Sequence, residues 1–384
     1  DRGGLVYQPR TGLYCDVAQI DFTSMYPAVI INGNISPEVP LPQGLKPSSP
    51  NLGVVPLTLK PLYEKRVKIK QRLLEMPDKE GTVAKSYTAR ASALKWLLVV
   101  CFGFLGYKNA RFGRIEAHEA VTRGGREALL LAKEACEDFG FEVLHLFVDA
   151  LWIRQPGYRA VADFQPVLDE ISRRTGMIIS LDGIFRWIAF LPSRTNDNQP
   201  VPNRYFGVFK DGSLKIRGIE ARRRDLPRWV IDTQTDMLNL LAKATDARQL
   251  PDYLPDAFKI FTHALDELNS DRIPLESLVL TNRISRDLEL YKSPTAAVRA
   301  ALQLFEQTGK RTDPGQKIRY LYTKNDVYAW DCPGTLSPDQ IDKSKYREML
   351  ARAAVTVFYP FGIDSKQLSA YAHKSLQFEL SLMK

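Results

Sequence analysis

An aspartate closes an apolar strand near the start of the chain, in Ala18-Gln19-Ile20-Asp21-Phe22-Thr23-Ser24-Met25-Tyr26-Pro27-Ala28-Val29-Ile30-Ile31. A carboxylate where a strand meets solvent can hold a cation, and a partner acid is expected elsewhere. Asp149 is that partner. It lies in Leu144-His145-Leu146-Phe147-Val148-Asp149-Ala150-Leu151-Trp152-Ile153-Arg154, where nine of its ten neighbours are apolar or His. Burying a bare carboxylate costs several kcal/mol or raises its pKa until it is neutral. Asp149 therefore needs a partner, a metal, or a turn that lifts it into water.

Composition narrows the chemistry. Net charge is +9 over 384 residues, with a pI near 9.2, which favours an anionic partner such as nucleic acid. Cys15, Cys101, Cys136 and Cys332 lie far apart. They suggest neither a zinc site nor a disulfide framework, and fit a reducing compartment. A cytoplasmic protein is expected, associated with the nucleoid if the source is prokaryotic. No unbroken apolar run of eighteen residues is present, so no membrane partner is expected.

The pattern predicts two β-rich segments over 5–32 and a proline-marked connector over 36–56. Helices follow at 58–76, 83–104 and 115–139, the first two paired as an αα-hairpin. The Asp149 segment reads as a β-hairpin with its turn at the acid. A helix over 159–175, a strand over 178–192 and a loop over 193–200 come next. Asp211-Gly212 turns a hairpin over 205–217. Residues 228–306 read as mostly helical with proline breaks at 251, 255 and 274. Strands follow at 313–334 and a helix at 343–358. The class is α+β.

Two acids at strand ends facing an anionic substrate suit two-metal phosphoryl transfer, with ions about 3.5–4 Å apart. Among 44 acids the pair alone is weakly specific, and two structural acids remain an alternative. The first helix of the hairpin is strongly basic. Arg66 and Lys70 share a face, and Lys95 follows on the second helix. Three such cations can cradle a triphosphate; a solvated charged face is the other reading.

With these residues placed, the chain resembles the polymerase core of family B DNA polymerases, from about Gly3 onward. Asp21-Phe22-Thr23-Ser24-Met25-Tyr26-Pro27 resembles the family's first motif, Asp-x-x-Ser-Leu-Tyr-Pro, and Asn34-Ile35-Ser36-Pro37 agrees after it. Lys95 through Phe102-Gly103 resembles the second motif, Lys-x-x-x-Asn-Ser-x-Tyr-Gly. Asp149 falls on the second Asp of the third, Tyr-Gly-Asp-Thr-Asp-Ser. The resemblance implies a right-hand polymerase with an antiparallel-sheet palm (1–55 and 108–215), helical-hairpin fingers (56–107) and a largely helical thumb (216–384).

It also implies roles. Asp21, Asp149 and the Phe22 carbonyl would hold two Mg²⁺ ions, with Mn²⁺ as a substitute. Tyr26 would stack under the sugar and exclude a 2′-hydroxyl. Arg66, Lys70 and Lys95 would bind the incoming deoxynucleoside triphosphate, with Val99 and Phe102 over the nascent pair. Arg204 and Tyr205 match the end of a Lys-Lys-Arg-Tyr motif that touches the primer duplex. Arg223, Arg224 and Arg286 would meet DNA from the thumb side. Primer–template DNA is the expected partner, with accessory replication or repair proteins.

Departures from the motifs carry their own expectations. Val99-Val100 replace the Asn-Ser of the second motif and Phe102 replaces its Tyr. Each lost hydrogen bond is worth about 0.5–1.5 kcal/mol, so relaxed fidelity of the lesion-bypass kind is expected. Leu146-Phe147-Val148 replace Gly-Asp-Thr in the third motif, removing its outer Asp. The chain begins where the core begins and shows no second acid constellation, so either it is a fragment or the protein lacks proofreading, and none is expected within this chain. A degenerate polymerase acting as a DNA-binding scaffold is the rival reading, and a nuclease a more distant one.

Overall fold

The structure is a computed structural model and describes residues 1–196, 198–363 and 368. The end of the expected thumb, 369–384, and Asp197 in the expected loop lie outside the described residues. The chain forms two compact units. Unit 1 takes Asp1–Arg10, Asp16–Phe185 and Gln199–Pro202; unit 2 takes Thr11–Cys15, Arg186–Asn198 and residues from Asn203 onward.

Unit 1 contains β1 (Val6–Tyr7), β2 (Gly12–Phe22, from Asp16), α1 (Met25–Asn32), α2 (Val54–Glu75) and α3 (Thr82–Leu105). After these come α4 (Ile115–Asp138), β3 (Glu142–Phe147), β4 (Ala150–Arg154), α5 (Val161–Thr175) and the first half of β5 (Ile179–Pro192). Its sheet runs β1-β3-β4-β2-β5. β2 and β4 are antiparallel, with Asp21 opposite Ala150 and Ile20 opposite Leu151. α4 packs through a face of small residues, among them Ala117, Ala120, Gly124, Gly125, Ala128 and Ala132, all buried. A methyl group on Gly124 would sit 2.7 Å from a Val29 methyl. That absence of side chain lets α1 lie directly on α4.

Residues 25–32 correct the expectation of a second β-segment: they are helical. Ser24 takes φ +55 at the end of β2 and breaks the strand. Pro27 then falls in the first helical turn, where a missing N–H costs nothing. The short run Val29-Ile30-Ile31 could not distinguish a buried helix from a buried strand.

Helix α2 starts at Val54, four residues before the expected 58. Its first N–H groups are met by side chains from the segment after α1. Gly53 N–H donates to Asn34 Oδ1 (2.8 Å), Val54 N–H to Glu38 Oε1 (2.6 Å) and Val55 N–H to Ser36 Oγ (3.2 Å). Asn34 Nδ2 also donates to the Asn51 carbonyl at 2.7 Å. Local sequence signals could not reveal caps supplied from 16 to 19 residues upstream.

Over an 18-residue window of mean hydropathy 1.4, α3 is long and apolar enough to cross a membrane. This amends the sequence expectation, which asked for an unbroken run and met Ser92 and Lys95. In the fold α3 packs Leu94, Leu98 and Leu105 inward and leaves Trp96, Leu97 and Phe104 exposed.

Unit 2 holds the second half of β5, then β6 (Pro200–Phe209, from Asn203), β7 (Leu214–Arg217), α6 (Arg228–Leu241) and α7 (Leu250–Asn269). It continues with α8 (Leu275–Leu278), β8 (Leu280–Arg283), α9 (Ala296–Thr308), β9 (Lys317–Tyr322), β10 (Val327–Ala329) and α10 (Lys343–Phe358). β5, β6 and β7 are neighbours in order, and β10-β9-β8 form a separate three-stranded sheet. The mostly helical expectation for 228–306 missed β8. Neither Pro251 nor Pro255 breaks α7: Pro251 lies in its first turn, and Pro255 lies inside the helix, which continues through it.

Removing the shared cap should loosen α2. Asn34→Ala is expected to cost at least roughly 2 kcal/mol, because several buried backbone groups lose their partner at once. The shift of the urea midpoint at unchanged m-value measures it.

Candidate active site

Five segments of unit 1 meet at one cleft of about 150 Å³. The end of β2 gives Asp21 and Phe22, α1 gives Tyr26, α2 gives Arg66 and Lys70, and α3 gives Lys95, Val99 and Phe102. The β3–β4 turn gives Asp149. All nine positions expected there from the sequence line this cleft.

The acids are placed by the sheet. β3 and β4 close through a two-residue turn, with Phe147 opposite Ala150. Val148 takes φ +61 in that turn. A β-branched residue in the left-handed region is strained, by about 1–3 kcal/mol. The turn is pinned by Val148 N–H donating to the Leu5 carbonyl (3.0 Å) and by Phe22 N–H donating to the Asp149 carbonyl (2.9 Å). The second bond ties the ends of β2 and the hairpin together and so fixes both carboxylates to one backbone frame.

Burial pushes the Asp149 carboxyl up from the usual aspartate value. Its own backbone N–H and the charge of Lys95 oppose this, and the charge of Asp182 adds to it. Asp182 lies on β5, where the Gln19 amide donates to it at 3.2 Å. Sequence reasoning missed this third acid. Its signal was the alternation Ile179-Ser180-Leu181-Asp182, which puts Ser180 and Asp182 on one strand face.

Arg66 is oriented by Ser24. Its guanidinium Nη1 donates to Ser24 Oγ at 2.5 Å. Burial lowers the Arg66 pKa, while Tyr63 and Asp21 support the charged form. Ser24, in the left-handed conformation at the strand end, thus sets both the start of α1 and the aim of a cation.

Tyr26 is held in an aromatic column. Its ring centroid lies 4.4 Å from that of Phe102, which stacks on His118 at 4.3 Å. On its other side the chain comes close: a methyl on Gly125 would sit 2.9 Å from Tyr26 Cε1, and one on Gly4 3.1 Å from its hydroxyl. Burial and the charge of Asp149 raise the Tyr26 pKa, against Arg126, so the phenol keeps its proton at neutral pH. Val99 is 47% exposed beside this column.

The donor set suits a hard cation. Two carboxylates and a backbone carbonyl are oxygen ligands, and magnesium takes one or two carboxylates and completes its shell with water and substrate phosphate. Among the described residues no group of three or more His, Cys, Asp or Glu forms a closed cage. Asp21, Asp149 and the Phe22 carbonyl are the oxygen donors here that could hold such an ion.

The remaining expected residues belong to unit 2. Arg204 donates to the Pro192 carbonyl (2.5 Å) and Thr356 Oγ1 (3.1 Å), so it anchors α10 to β5. Tyr205 is 1% exposed and packs edge-on against Phe190. This corrects the expectation that the Tyr205 ring touches a duplex: it is covered by Phe190, on the strand face opposite to the Phe206 side chain that enters the core of unit 2. Arg223 is held by Asp225 at 2.5–2.9 Å, Arg224 is exposed, and Arg286 lies over the Tyr291 ring at 4.9 Å.

Comparison with known proteins agrees with the fold. The solved structure of the family B DNA polymerase from the hyperthermophilic archaeon Pyrobaculum calidifontis matches at TM-score 0.62 and 23% identity, over 94% of this chain and 47% of that one. DNA polymerase 2 of Aeropyrum pernix is 25% identical over 97% of this chain and 46% of the relative. DNA polymerase 2 of Saccharolobus solfataricus is 32% identical over 64% and 36%. The chain spans about half the length, or less, of the curated relatives it matches. The profile of DNA polymerase family B covers residues 1–47, 40–150 and 203–363, and the chain belongs to that family.

Proposed function

We propose that this chain carries template-directed DNA synthesis, adding deoxynucleotides to a primer 3′ end. One observation carries it: nine residues from separate segments, each expected to serve that reaction, line a single cleft. In this assignment α2 and α3 are the fingers, the unit 1 sheet with α4 and α5 belongs to the palm, and residues from 216 onward are the thumb. Primer–template DNA and deoxynucleoside triphosphates are the substrates. Accessory replication or repair proteins would be further partners.

Asp21 and Asp149, with the Phe22 carbonyl, would hold Mg²⁺ or Mn²⁺. When bound, such ions polarise the attacking 3′ oxygen and neutralise the leaving pyrophosphate. Arg66, Lys70 and Lys95 bind the triphosphate from two helices and orient its leaving group. Tyr26, fixed between Phe102 and Gly125, forms the floor of the sugar site and leaves no room for a 2′-hydroxyl. Val99 and Phe102 present an apolar lid to the new pair, which supports tolerance of imperfect geometry. A purely scaffolding role is less well supported, since it gives no reason to keep a disfavoured acid on a strained turn beside three cations.

Primer extension tests the reaction. Asp21→Ala and Asp149→Ala should each lower extension by roughly a hundredfold or more while duplex affinity changes little. Extension retained by either variant overturns the metal assignment. Tyr26→Ala should raise ribonucleotide insertion by about tenfold or more in kcat/KM, and Gly125→Ala should shift the same ratio by displacing the ring. Unchanged sugar discrimination in both would remove Tyr26 from the sugar site.

A readout without turnover is thermal unfolding. The raised Asp149 pKa means stability is greatest below the unfolded-state value and is lost as pH rises through the folded one. Asp149→Asn should therefore raise the metal-free unfolding temperature at neutral pH and flatten that pH dependence. It should also abolish stabilisation by added Mg²⁺. A Mg²⁺-dependent shift that survives the substitution would place the ion elsewhere.

A further inference from the structure

The α2–α3 hairpin carries more positive charge than the cleft uses. Residues 54–105 hold ten Lys or Arg and four Asp or Glu. Only Arg66, Lys70 and Lys95 line the cleft. A second, larger groove of about 970 Å³ runs between the two helices and shares no lining residue with it. Lys65, Lys68 and Arg72 enter it from α2, and Tyr87 and Arg90 from α3.

The helical repeat separates the two sites. Lys65, Lys68 and Arg72 follow at i, i+3 and i+7, which is one stripe. At about 100° per residue, Lys68 lies about 200° around the axis from Arg66. Exposure agrees: Lys65, Lys68 and Arg72 are exposed, whereas Arg66 and Lys70 are partly buried. Among the described residues, none of Lys65, Lys68, Arg72 and Arg90 is ion-paired, although Glu64 and Glu75 stand on the rim. Other exposed arginines of unit 1 do meet acids, as Arg173 meets Glu170 and Arg159 meets Asp16.

Tyr87 gives the groove its second chemistry. Its hydroxyl accepts from Arg72 Nη1 at 2.9 Å, and the guanidinium carbons of Arg72 and Arg90 each lie 5.8 Å from its ring centre. An oriented aromatic ring between unpaired cations serves a ligand that alternates phosphate with a planar base. Single-stranded nucleic acid has that composition and exposes its bases; a duplex hides them, and an acidic peptide lacks them. We propose that this groove binds single-stranded DNA, specifically the unpaired template ahead of the cleft. This rests on the synthesis reading for the strand's identity, though not for its chemistry.

Fluorescence anisotropy with labelled primer–templates tests it, using template overhangs of one and of fifteen nucleotides. Lys68→Gln/Arg72→Gln/Arg90→Gln should weaken the long-overhang complex about tenfold or more at low salt. Removing three phosphate contacts to a single strand should reduce the salt slope of log K by about 2. Binding of the one-nucleotide overhang and single-nucleotide insertion should not change. Tyr87→Leu should weaken the long overhang with the salt slope intact. Equal loss on both overhangs, or no loss on either, overturns the proposal. Lys65→Glu, a single exposed change, repeats the test should the triple variant fail to fold. If wild type inserts no nucleotide yet shows the overhang effect, the synthesis reading falls and the groove stands; insertion without the overhang effect gives the reverse.

Discussion

A carboxylate buried at the end of an apolar hairpin, where its charged form is disfavoured, is the constraint around which unit 1 is arranged. Burial works against the ionised form of Asp149, and Asp182 adds to the penalty. Lys95 and the turn's own N–H relieve only part of it. The hairpin cannot move the acid into water without breaking the Phe22–Asp149 backbone bond that joins it to β2. On the proposed reading, a divalent cation bound there would relieve that penalty. This is the ordinary way in which a binding site stores its affinity: the fold supplies stability elsewhere and leaves one group poorly served.

The small-residue face of α4 is the second part of that arrangement. Gly124 and Gly125 remove the side chains that would hold α1 away, and Tyr26 drops into the space beside Gly125. Phe102 then covers it from α3 and is itself backed by His118. The lid over the cleft is therefore built from rings and aliphatic groups whose contacts tolerate small displacements. An amide or hydroxyl in the same places would impose a distance and an angle.

Much of the site was legible in the sequence because its signals are local. An acid at the end of an apolar strand, Arg66 and Lys70 four apart, and Lys95 one helix later each stand out without a structure. What escaped depends on distant partners. The start of α2 is set by Asn34, Ser36 and Glu38 across a proline-rich stretch. The helical state of Val29-Ile30-Ile31 is set by Ser24 and by α4. Asp182 is three elements away from the acid it influences. Tyr205 sits beside an arginine in a polar-looking motif, yet on strand β6 its ring is buried against Phe190. Motif position alone carries no information about which way a side chain faces.

The upstream caps on α2 also define a lever. Three hydrogen bonds fix the first turn of the helix to the segment after α1, while few side chains beyond Leu59 are buried along its length. At 1.5 Å per residue, Arg66 lies about 18 Å from that fulcrum and the end of α2 about 32 Å. A tilt of about ten degrees about the capped turn would move Arg66 by about 3 Å and the tip by nearly twice as much. Arg66 and Lys70 ride the same rod as Lys65, Lys68 and Arg72, on different sides of it. Any load on the outer stripe is transmitted as torque to the cations at the cleft.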